Sequence, residues 1–406
     1  MQCLCPGEQC GLRSGCVVAL CTLTKERFVN GKHFDIVMLT TVHSAVDDRI
    51  LHREAKTLRD TGLAVCIIGP HPHSEVVEGV TILPLARAKS RFARLGLHRE
   101  LFRKALDASG ELYIFHDPEL FGVAVLLRAL GKRVVYDAHE NLPMQVLQKE
   151  WIPRPLRYAV FPLVWAAEWL GARLLSGVIL ARPNLLQRFS GMPCALIRNF
   201  PTSCALRTLA PKTAVEQRRN IALYTGSLTR TYGIEELVQA FAALPEAELW
   251  LAGPFSDAEF EQRVRSAMTP NVRYLGRMPF REVLSLYGEV KVGALLLYPS
   301  PNNRYSMPIK LFEYMAAGLP VLRSNLPELE KMTEGCSISV DPTSVEQIRN
   351  GLARLFSDSS QVAAMSSTAR QRALSEFIWE PEGERLVRFC TELMTPEKAF
   401  SPSPQA

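Results

Sequence analysis

The strongest constraint on the fold is a rhythm that runs, stops and runs again: short β-branched apolar segments alternate with longer segments of helical period. It opens with FDIVMLT at 34–40, the helix-like DDRILHREAKTLRDTG at 47–62 and LAVCIIG at 63–69. VTILPL (80–85), a basic stretch (87–106), LYIF (112–115), a helix near 118–130, RVVYD (133–137) and helical segments to about 190 follow. Strand, helix and strand in that order build parallel sheet, and strands with few polar alternations are covered on both faces. The segment 198–220, with three Thr, two Pro and little periodicity, reads as a linker. From 220 the alternation returns with IALYTG (221–226), AELWLAG (247–253), VRYLG (272–276), KVGALLLY (291–298) and PVLRS (320–324), each followed by a helical segment. The expected fold class is therefore α/β, with two doubly wound, Rossmann-like parallel-sheet domains at 34–199 and 220–375 and a linker at 200–219. Ligands are expected outside the carboxyl ends of the strands, in the cleft between two such domains.

A length of 406 residues, 47% of them hydrophobic and 22% charged, suits two globular domains and excludes a disordered or collagen-like chain. The net charge of +6 is unevenly spread: residues 1–200 carry 25 basic and 18 acidic side chains, residues 201–406 carry 22 and 23. A basic first half calls for an anionic partner, either a membrane surface or a nucleic acid. No helix-turn-helix, zinc finger or stacking sheet accompanies the charge, so nucleic acid is not expected. Cys3, Cys5, Cys10, Cys16 and Cys21 crowd the start, and the other five cysteines are scattered, as in a reduced cytosolic protein. Residues 1–33 read as an unstructured extension rather than a zinc site, because no Cys-x-x-Cys pair occurs and His33 is the one nearby imidazole. Residues 396–406 read as a disordered tail. The apolar stretch Cys16 to Leu23 lacks a small-residue cleavage site, and the best spanning candidate, 158–181, is broken by Pro162, Glu168 and Arg173.

Neither first strand is followed by G-x-G-x-x-G, and no phosphate-binding G-x-x-x-x-G-K-[ST] occurs, which argues against dinucleotide oxidoreductases and P-loop ATPases. The most informative segment is NRYSMPIKLFEYMAAGLPV (303–321). It joins a polar loop to a helix with Ser306 as expected N-cap and Pro308 in the first turn, a start suited to an anion. Lys310 and Glu313 project from roughly the same face, a cation at the phosphate position and a carboxylate that can accept two ribose hydroxyls. The same pair also reads as a solvated ion pair on a helix whose Leu311, Phe312 and Met315 are core.

This segment, with Gly318-Leu319-Pro320-Val321 after it, resembles the nucleotide-sugar helix of the group 1 (family 4) retaining glycosyltransferases of the GT-B fold. YTGSLTRTYGIEELVQAF (224–241), LWLAGP (249–254) and VRYLGRMP (272–279) resemble the family's first strand and Gly-rich turn, its second strand and its nucleobase loop. TVHSAVDDRILHREAKTL (41–58), FHDPEL (115–120) and YDAHENLP (136–143) resemble a subgroup that builds bacterial surface polysaccharides. FIWEPEGERL (377–386) is similar to the last helix, so residues 376–395 are expected to cross back to the first domain. The resemblance implies transfer of a sugar from a nucleoside-diphosphate sugar, a UDP- or GDP-sugar, to a lipid-linked glycan, with retention of configuration and no cofactor. It implies donor contacts at Gly226, Ser227, Arg230, Arg277, Ser306, Lys310 and Glu313, with His139 on the catalytic face. His43, Asp48, Arg49, His116 and Asp117 are expected on the acceptor side.

The departures are as informative as the matches. Tyr305 stands where the family has a Glu eight residues before the helix Glu; Ser227 and Tyr232 stand where members often carry Arg and Lys. No Asp-x-Asp occurs, so no metal is expected, and the leaving diphosphate falls to Lys310, Arg230 and the helix terminus. Retention without a visible nucleophile fits a front-face route in which the diphosphate helps remove the acceptor proton. A paired-carboxylate glycosidase lacks its two acidic loops. A nucleotide-sugar epimerase on the same fold and a non-catalytic nucleotide-sugar-binding scaffold remain as alternatives.

The basic half has local sources. RAKSRFARLGLHRELFRKAL (87–106) holds seven Arg/Lys, among them Arg91, Arg94 and Arg103, interleaved with Phe92, Leu95, Leu101, Phe102 and Leu106. Residues 151–175 set Trp151, Trp165 and Trp169 beside Arg154, Arg157 and Arg173. Both segments read either as interfacial helices or as core helices with a solvated basic face. The first reading makes an anionic membrane surface a partner and puts the protein peripherally at its cytoplasmic face.

Overall fold

The computed structural model describes residues 33–395 apart from Lys89, Glu150 and Trp151. The Cys-rich segment 1–32, the tail 396–406 and Trp151 lie outside the described residues. The chain divides into two units, one running to Asn199 and resuming at Trp379, the other Phe200–Ile378.

The first unit is built on eight strands: β1 (Ile36–Leu39), β2 (Val65–Pro70), β3 (Glu75–Val77), β4 (Val80–Leu85), β5 (Leu112–Phe115), β6 (Arg133–Ala138), β7 (Gly177–Leu180) and β8 (Cys194–Leu196). Their order is β3-β4-β2-β1-β5-β6-β7-β8, parallel except for β3 against β4. Alternate residues of β1 point to opposite faces and all four are apolar, so both faces need cover. Val37 and Leu39 join Tyr113, Phe115 and Tyr136 in one core; Ile36 and Met38 join Ile67, Ile114, Val135 and Ile179 in the other. The final helix, Trp379–Met394, belongs to this unit and brings Trp379, Leu386, Phe389 and Cys390 to the second core. Its buried Glu382 accepts from the guanidinium of Arg198 at 2.7 and 3.0 Å.

Helix α1 (Arg91–Asp107) forms where the basic stretch runs, with Ser90 Oγ accepting from Ala93 N at its start. Leu101 and Ala105 are fully buried against the sheet, and Phe102 and Leu106 pack on the same core. Its apolar side is therefore committed to the fold, which favours the core reading of this segment. Helix α2 (Leu142–Gln148) and the long helix α3 (Arg154–Arg173) follow β6. The helical stretch at 47–62 starts as a π-helical turn, Ile50–Ala55, before the α-helical Lys56–Asp60.

The second unit carries six strands, β9 (Ile221–Thr225), β10 (Glu248–Ala252), β11 (Val272–Gly276), β12 (Val292–Leu295), β13 (Val321–Ser324) and β14 (Ser337–Val340). They are all parallel, in the order β11-β10-β9-β12-β13-β14. Helices α4 (Ile234–Phe241), α5 (Ala258–Ala267) and α6 (Ile309–Ala316) follow β9, β10 and β12.

The expected linker at 200–219 is instead part of this unit. Phe200, Leu206, Leu209 and Val215 are buried, and the Phe200 ring meets those of Phe312 and Phe377 at 5.1 and 5.6 Å. Arg218, also buried, donates to the carbonyls of Thr213, Tyr287 and Val290. Four apolar side chains and one well-satisfied arginine outweigh the turn-rich composition that made the segment look extended.

Candidate functional site

Each unit gathers polar side chains at the carboxyl ends of its central strands. In the second unit β9 runs into Gly226, whose φ of +107° only glycine adopts readily. A Cβ there would sit 2.8 Å from Lys310 Nζ, so the missing side chain is what lets the turn lie against that ammonium. After β10, Gly253 (φ +145°) is fixed more tightly, because its Cβ would fall 2.0 Å from the carbonyl oxygen of Gly226.

Helix α6 starts at Ile309 with Pro308 in the N-cap position and no side-chain cap. This corrects the expectation that Ser306 caps it. Ser306 closes a short 3-10 turn, Asn303–Tyr305, in extended conformation. A proline disfavours helix for the residue before it, here Met307, so the helix begins after Pro308.

Lys310 lies in the first turn of α6. Its Nζ donates to Tyr224 Oη at 3.0 Å and sits over the rings of Tyr224 and Tyr232 at 4.1 and 4.8 Å. Burial lowers its pKa from 10.5 to about 7, with Glu313 pulling the other way. Glu313, three residues on, accepts from Tyr287 Oη at 2.8 Å. Tyr314 Oη accepts from Thr225 N at 2.9 Å, tying α6 to the end of β9. The phenols of Tyr224 and Tyr287 are pushed well above their ordinary value by burial, so they stay neutral. These tyrosines were not among the expected site residues, and no spacing rule singles out a strand tyrosine as the wall of an ion site.

The other expected donor residues are placed differently. Arg230 lies in a 3-10 turn, where its guanidinium reaches Asp257 at 3.0 Å and Glu259 at 3.6 Å. Asp257 also caps α5 by accepting from Phe260 N at 2.8 Å. Arg230 is thus engaged by the start of α5. Ser227 and Arg277 are exposed. Tyr305 is half-buried in the 3-10 turn before Ser306.

In the first unit β1, β5 and β6 are neighbours in the sheet, so His43, His116 and His139, each just past one of these strands, come together. Asp137 is their centre. Its Oδ2 lies 2.6 Å from His139 Nε2 and 3.0 Å from His116 Nδ1, and Arg49 donates to both its oxygens at 3.1 and 2.9 Å. Burial alone would raise the Asp137 carboxyl, yet Arg49, followed by His139 and His116, holds it well below the usual carboxylate range. Burial lowers His116, keeping it neutral at neutral pH. An ionised carboxylate only accepts, so both imidazoles turn an N–H toward it. The His139 side chain is 21% exposed, against none for His116 and Asp137.

Arg49, expected on the acceptor side, is instead a buried brace that also reaches Glu54 and the Ile197 carbonyl. Asp117 is equally structural, accepting from the amides of Thr41 and Val42 and the hydroxyl of Thr40. His43 leans on it at 3.5 Å, and Asp48 is exposed.

Among the described residues two groups have ligand atoms close enough to hold a metal ion: His71, His73 and Glu75, and His116, Asp137 and His139. In the second, the Arg49 guanidinium already covers both oxygens of Asp137, the position a cation would take.

Residues 219–358 match the family described as Glycosyl transferases group 1. Over 159 residues the chain is 24% identical to a GDP-mannose-dependent monoacylated alpha-(1-6)-phosphatidylinositol monomannoside mannosyltransferase of Corynebacterium glutamicum, covering 38% of this chain and 41% of that protein. It is 28% identical over 169 residues to the O-antigen chain mannosyltransferase B of Escherichia coli, 39% and 42% of the two chains. The chain thus spans about two fifths of the length of these curated relatives. The crystal structure of Anabaena HepE in complex with UDP and glucose superposes with a TM-score of 0.67 at 15% identity, covering 89% of this chain and all of that one. That likeness, with two parallel-sheet α/β domains, is a likeness of fold, and the fold is GT-B.

Proposed function

We propose, for a chain whose residues 219–358 match the group 1 glycosyl transferases and whose fold is GT-B, that it moves a sugar from a nucleoside-diphosphate sugar to a lipid-linked glycan. The observation that carries this reading is the Lys310 site. A diphosphate accounts for an ammonium kept half-neutral by burial at a helix start, with a bare glycine turn against it. In this reading Lys310 and the first amides of α6 take the diphosphate, and Glu313, held by Tyr287, accepts from the ribose hydroxyls. As the glycosidic bond breaks, charge grows on the diphosphate, and a cation already fixed there favours the transition state. The acceptor hydroxyl bonds to the anomeric carbon on the face the diphosphate leaves and gives its proton to the departing diphosphate, so the new glycosidic bond replaces the old one with configuration retained. Asp137 holds His139 in one orientation with its open nitrogen available to the transferred sugar. The donor is a UDP- or GDP-sugar; one similar protein is named for GDP-mannose and another was solved in complex with UDP.

A membrane-borne acceptor implies a peripheral enzyme at the cytoplasmic face of the membrane, in polysaccharide or glycolipid synthesis. Among the described residues no helix is long and apolar enough to cross a membrane. The competing reading, a non-catalytic nucleotide-sugar-binding subunit, is favoured by Tyr232, whose ring stands beside Lys310 where a second cation is usual.

The test is calorimetric binding and turnover of UDP- and GDP-sugars. Lys310→Ala and Glu313→Ala are each expected to weaken donor binding about 10- to 100-fold, the worth of a charge-assisted hydrogen bond. Binding without hydrolysis or transfer selects the binding subunit. No binding of any nucleotide sugar overturns the reading.

A further inference from the structure

Helix α3 is an anomaly in its unit. Of the twenty residues Arg154–Arg173 only Glu168 and Ala172 are buried. Tyr158 is 71% exposed, Leu163 69%, Leu170 56% and Leu156 51%. Of the twelve large exposed hydrophobic side chains among the described residues, six fall within 156–174. Scattered apolar residues on a surface need no explanation, but so many on one helix do.

The charges on this helix say what covers it. Arg154 and Arg173 are exposed, Arg157 is half-buried, and the one acid, Glu168, is turned inward, so the outer surface carries positive charge alone. Trp165 and Trp169 stack at 6.1 Å, with the Arg173 guanidinium 4.1 Å over Trp169. Apolar side chains, indoles and arginines without outward carboxylates match an anionic lipid headgroup layer. A second copy of the chain would bring these arginines against one another. Pro162 in mid-helix and the interspersed arginines suit a helix lying in the membrane plane rather than across it.

The inward side of α3 leads to the histidine cluster. Glu168 accepts from Tyr136 Oη at 3.1 Å, and Tyr136 precedes Asp137 on β6. Arg188 meets the other oxygen of Glu168 at 2.5 Å, donates to the Trp165 carbonyl at 3.1 Å and reaches Asn141 Oδ1 at 3.4 Å. Asn141 caps α2 two residues after His139. A buried carboxylate on an otherwise exposed helix is costly unless its partners hold it in place, and here they lie beside the site.

We propose that α3 docks in the headgroup layer of an anionic membrane and that Glu168, through Tyr136 and Arg188, passes its seating to the His139 loop. The proposal rests on the reading of a membrane-borne acceptor and adds the surface and the positioning residues. Full-length protein is to be co-sedimented with phosphatidylcholine vesicles with and without phosphatidylglycerol. The wild type is expected to sediment with phosphatidylglycerol only, less so in salt, and Leu163→Asp/Leu170→Asp to lose about tenfold in binding. Both positions are exposed, so the fold and donor turnover in solution are expected to be unchanged. Hydrogen exchange at residues 139–148 is expected to slow on vesicles in the wild type. In Tyr136→Phe, which loses only the hydroxyl, vesicle binding is kept and the slowing is lost. Undiminished binding of the double aspartate variant overturns the docking, as does a dimer that the same substitutions dissociate. Unaltered exchange at 139–148 in the wild type on vesicles, or slowing that survives in Tyr136→Phe, overturns the coupling. None of these readouts needs donor turnover, so a chain that docks through α3 but transfers no sugar leaves docking intact and removes only the enzymatic reading.

Discussion

The two units place polar side chains at equivalent strand ends but build them from opposite materials. The first unit uses charges that neutralise one another: Arg49 and two imidazoles around Asp137, with Asp117 beneath His43. The second uses neutral phenols, Tyr224, Tyr232 and Tyr287, around one ammonium and one carboxylate. A self-neutralised cluster is complete before any ligand arrives and serves to hold geometry. In the second site a single carboxylate, Glu313, faces the ammonium from the same helix, and the proposed diphosphate would add the remaining anionic partner. On the proposed function, the first cluster positions and the second binds.

The sharpest way to break this contrast is Asp137→Ala, which takes from buried Arg49 one of its two carboxylate partners and from His116 and His139 the acceptor they share. It is expected to cost about 3–5 kcal/mol, measured by urea unfolding; a cost below about 1 kcal/mol would mean the cluster does not brace the strand ends. Lys310→Met is expected to act with the opposite sign on stability. Exchanging a desolvated ammonium for an apolar chain of similar length should leave the free protein at least as stable while donor binding falls about 100-fold. Equal losses of stability at the two positions would erase the contrast.

Lys310 also sets a pH signature. Its folded pKa of about 7 lies below its ordinary 10.5, so between these values the unfolded chain holds a proton that the folded one lacks. Stability of the free protein should therefore rise with pH across that window. Donor affinity should run the other way, falling as pH climbs above about 7, with proton uptake on binding seen as calorimetric heats that depend on the buffer. Lys310→Met should flatten both slopes. Gly226→Ala is expected to cost about 1–3 kcal/mol from its positive φ and to weaken the donor by displacing Lys310. Tyr314→Phe, losing the contacts of its hydroxyl with Thr225 N and Thr225 Oγ1, should cost about 1–2 kcal/mol.

Much of this was legible in the sequence. Apolar runs such as IVML and IALYT are strands buried on both faces, and their alternation with helices fixes parallel order. Lys310, Glu313 and His139 stand where helix period and strand ends put them. Asp137 carries no such signal because it sits inside the strand, two residues before the loop where site residues are sought. Arg49 was misassigned because a surface arginine and a buried brace are identical in sequence; only the carboxylates that fold around it decide. Ser306 failed as a cap through its neighbour, since Pro308 sets the start of the helix two residues later. The segment 200–219 was misread because its four buried apolar residues follow no single period.

The final helix has a consequence for how the chain is made. Trp379, Leu386, Phe389 and Cys390 close a core whose other members, Ile36, Ile67, Ile114 and Ile179, are synthesised some two hundred or more residues earlier. During translation that sheet face must wait, uncovered, while the whole of Phe200–Ile378 emerges and folds as a contiguous block. The second unit can mature on the ribosome; the first is completed only when its last helix is released. A ribosome stalled before Trp379 would therefore display a finished second unit and an adhesive, half-covered sheet, the species on which a chaperone would be expected to act.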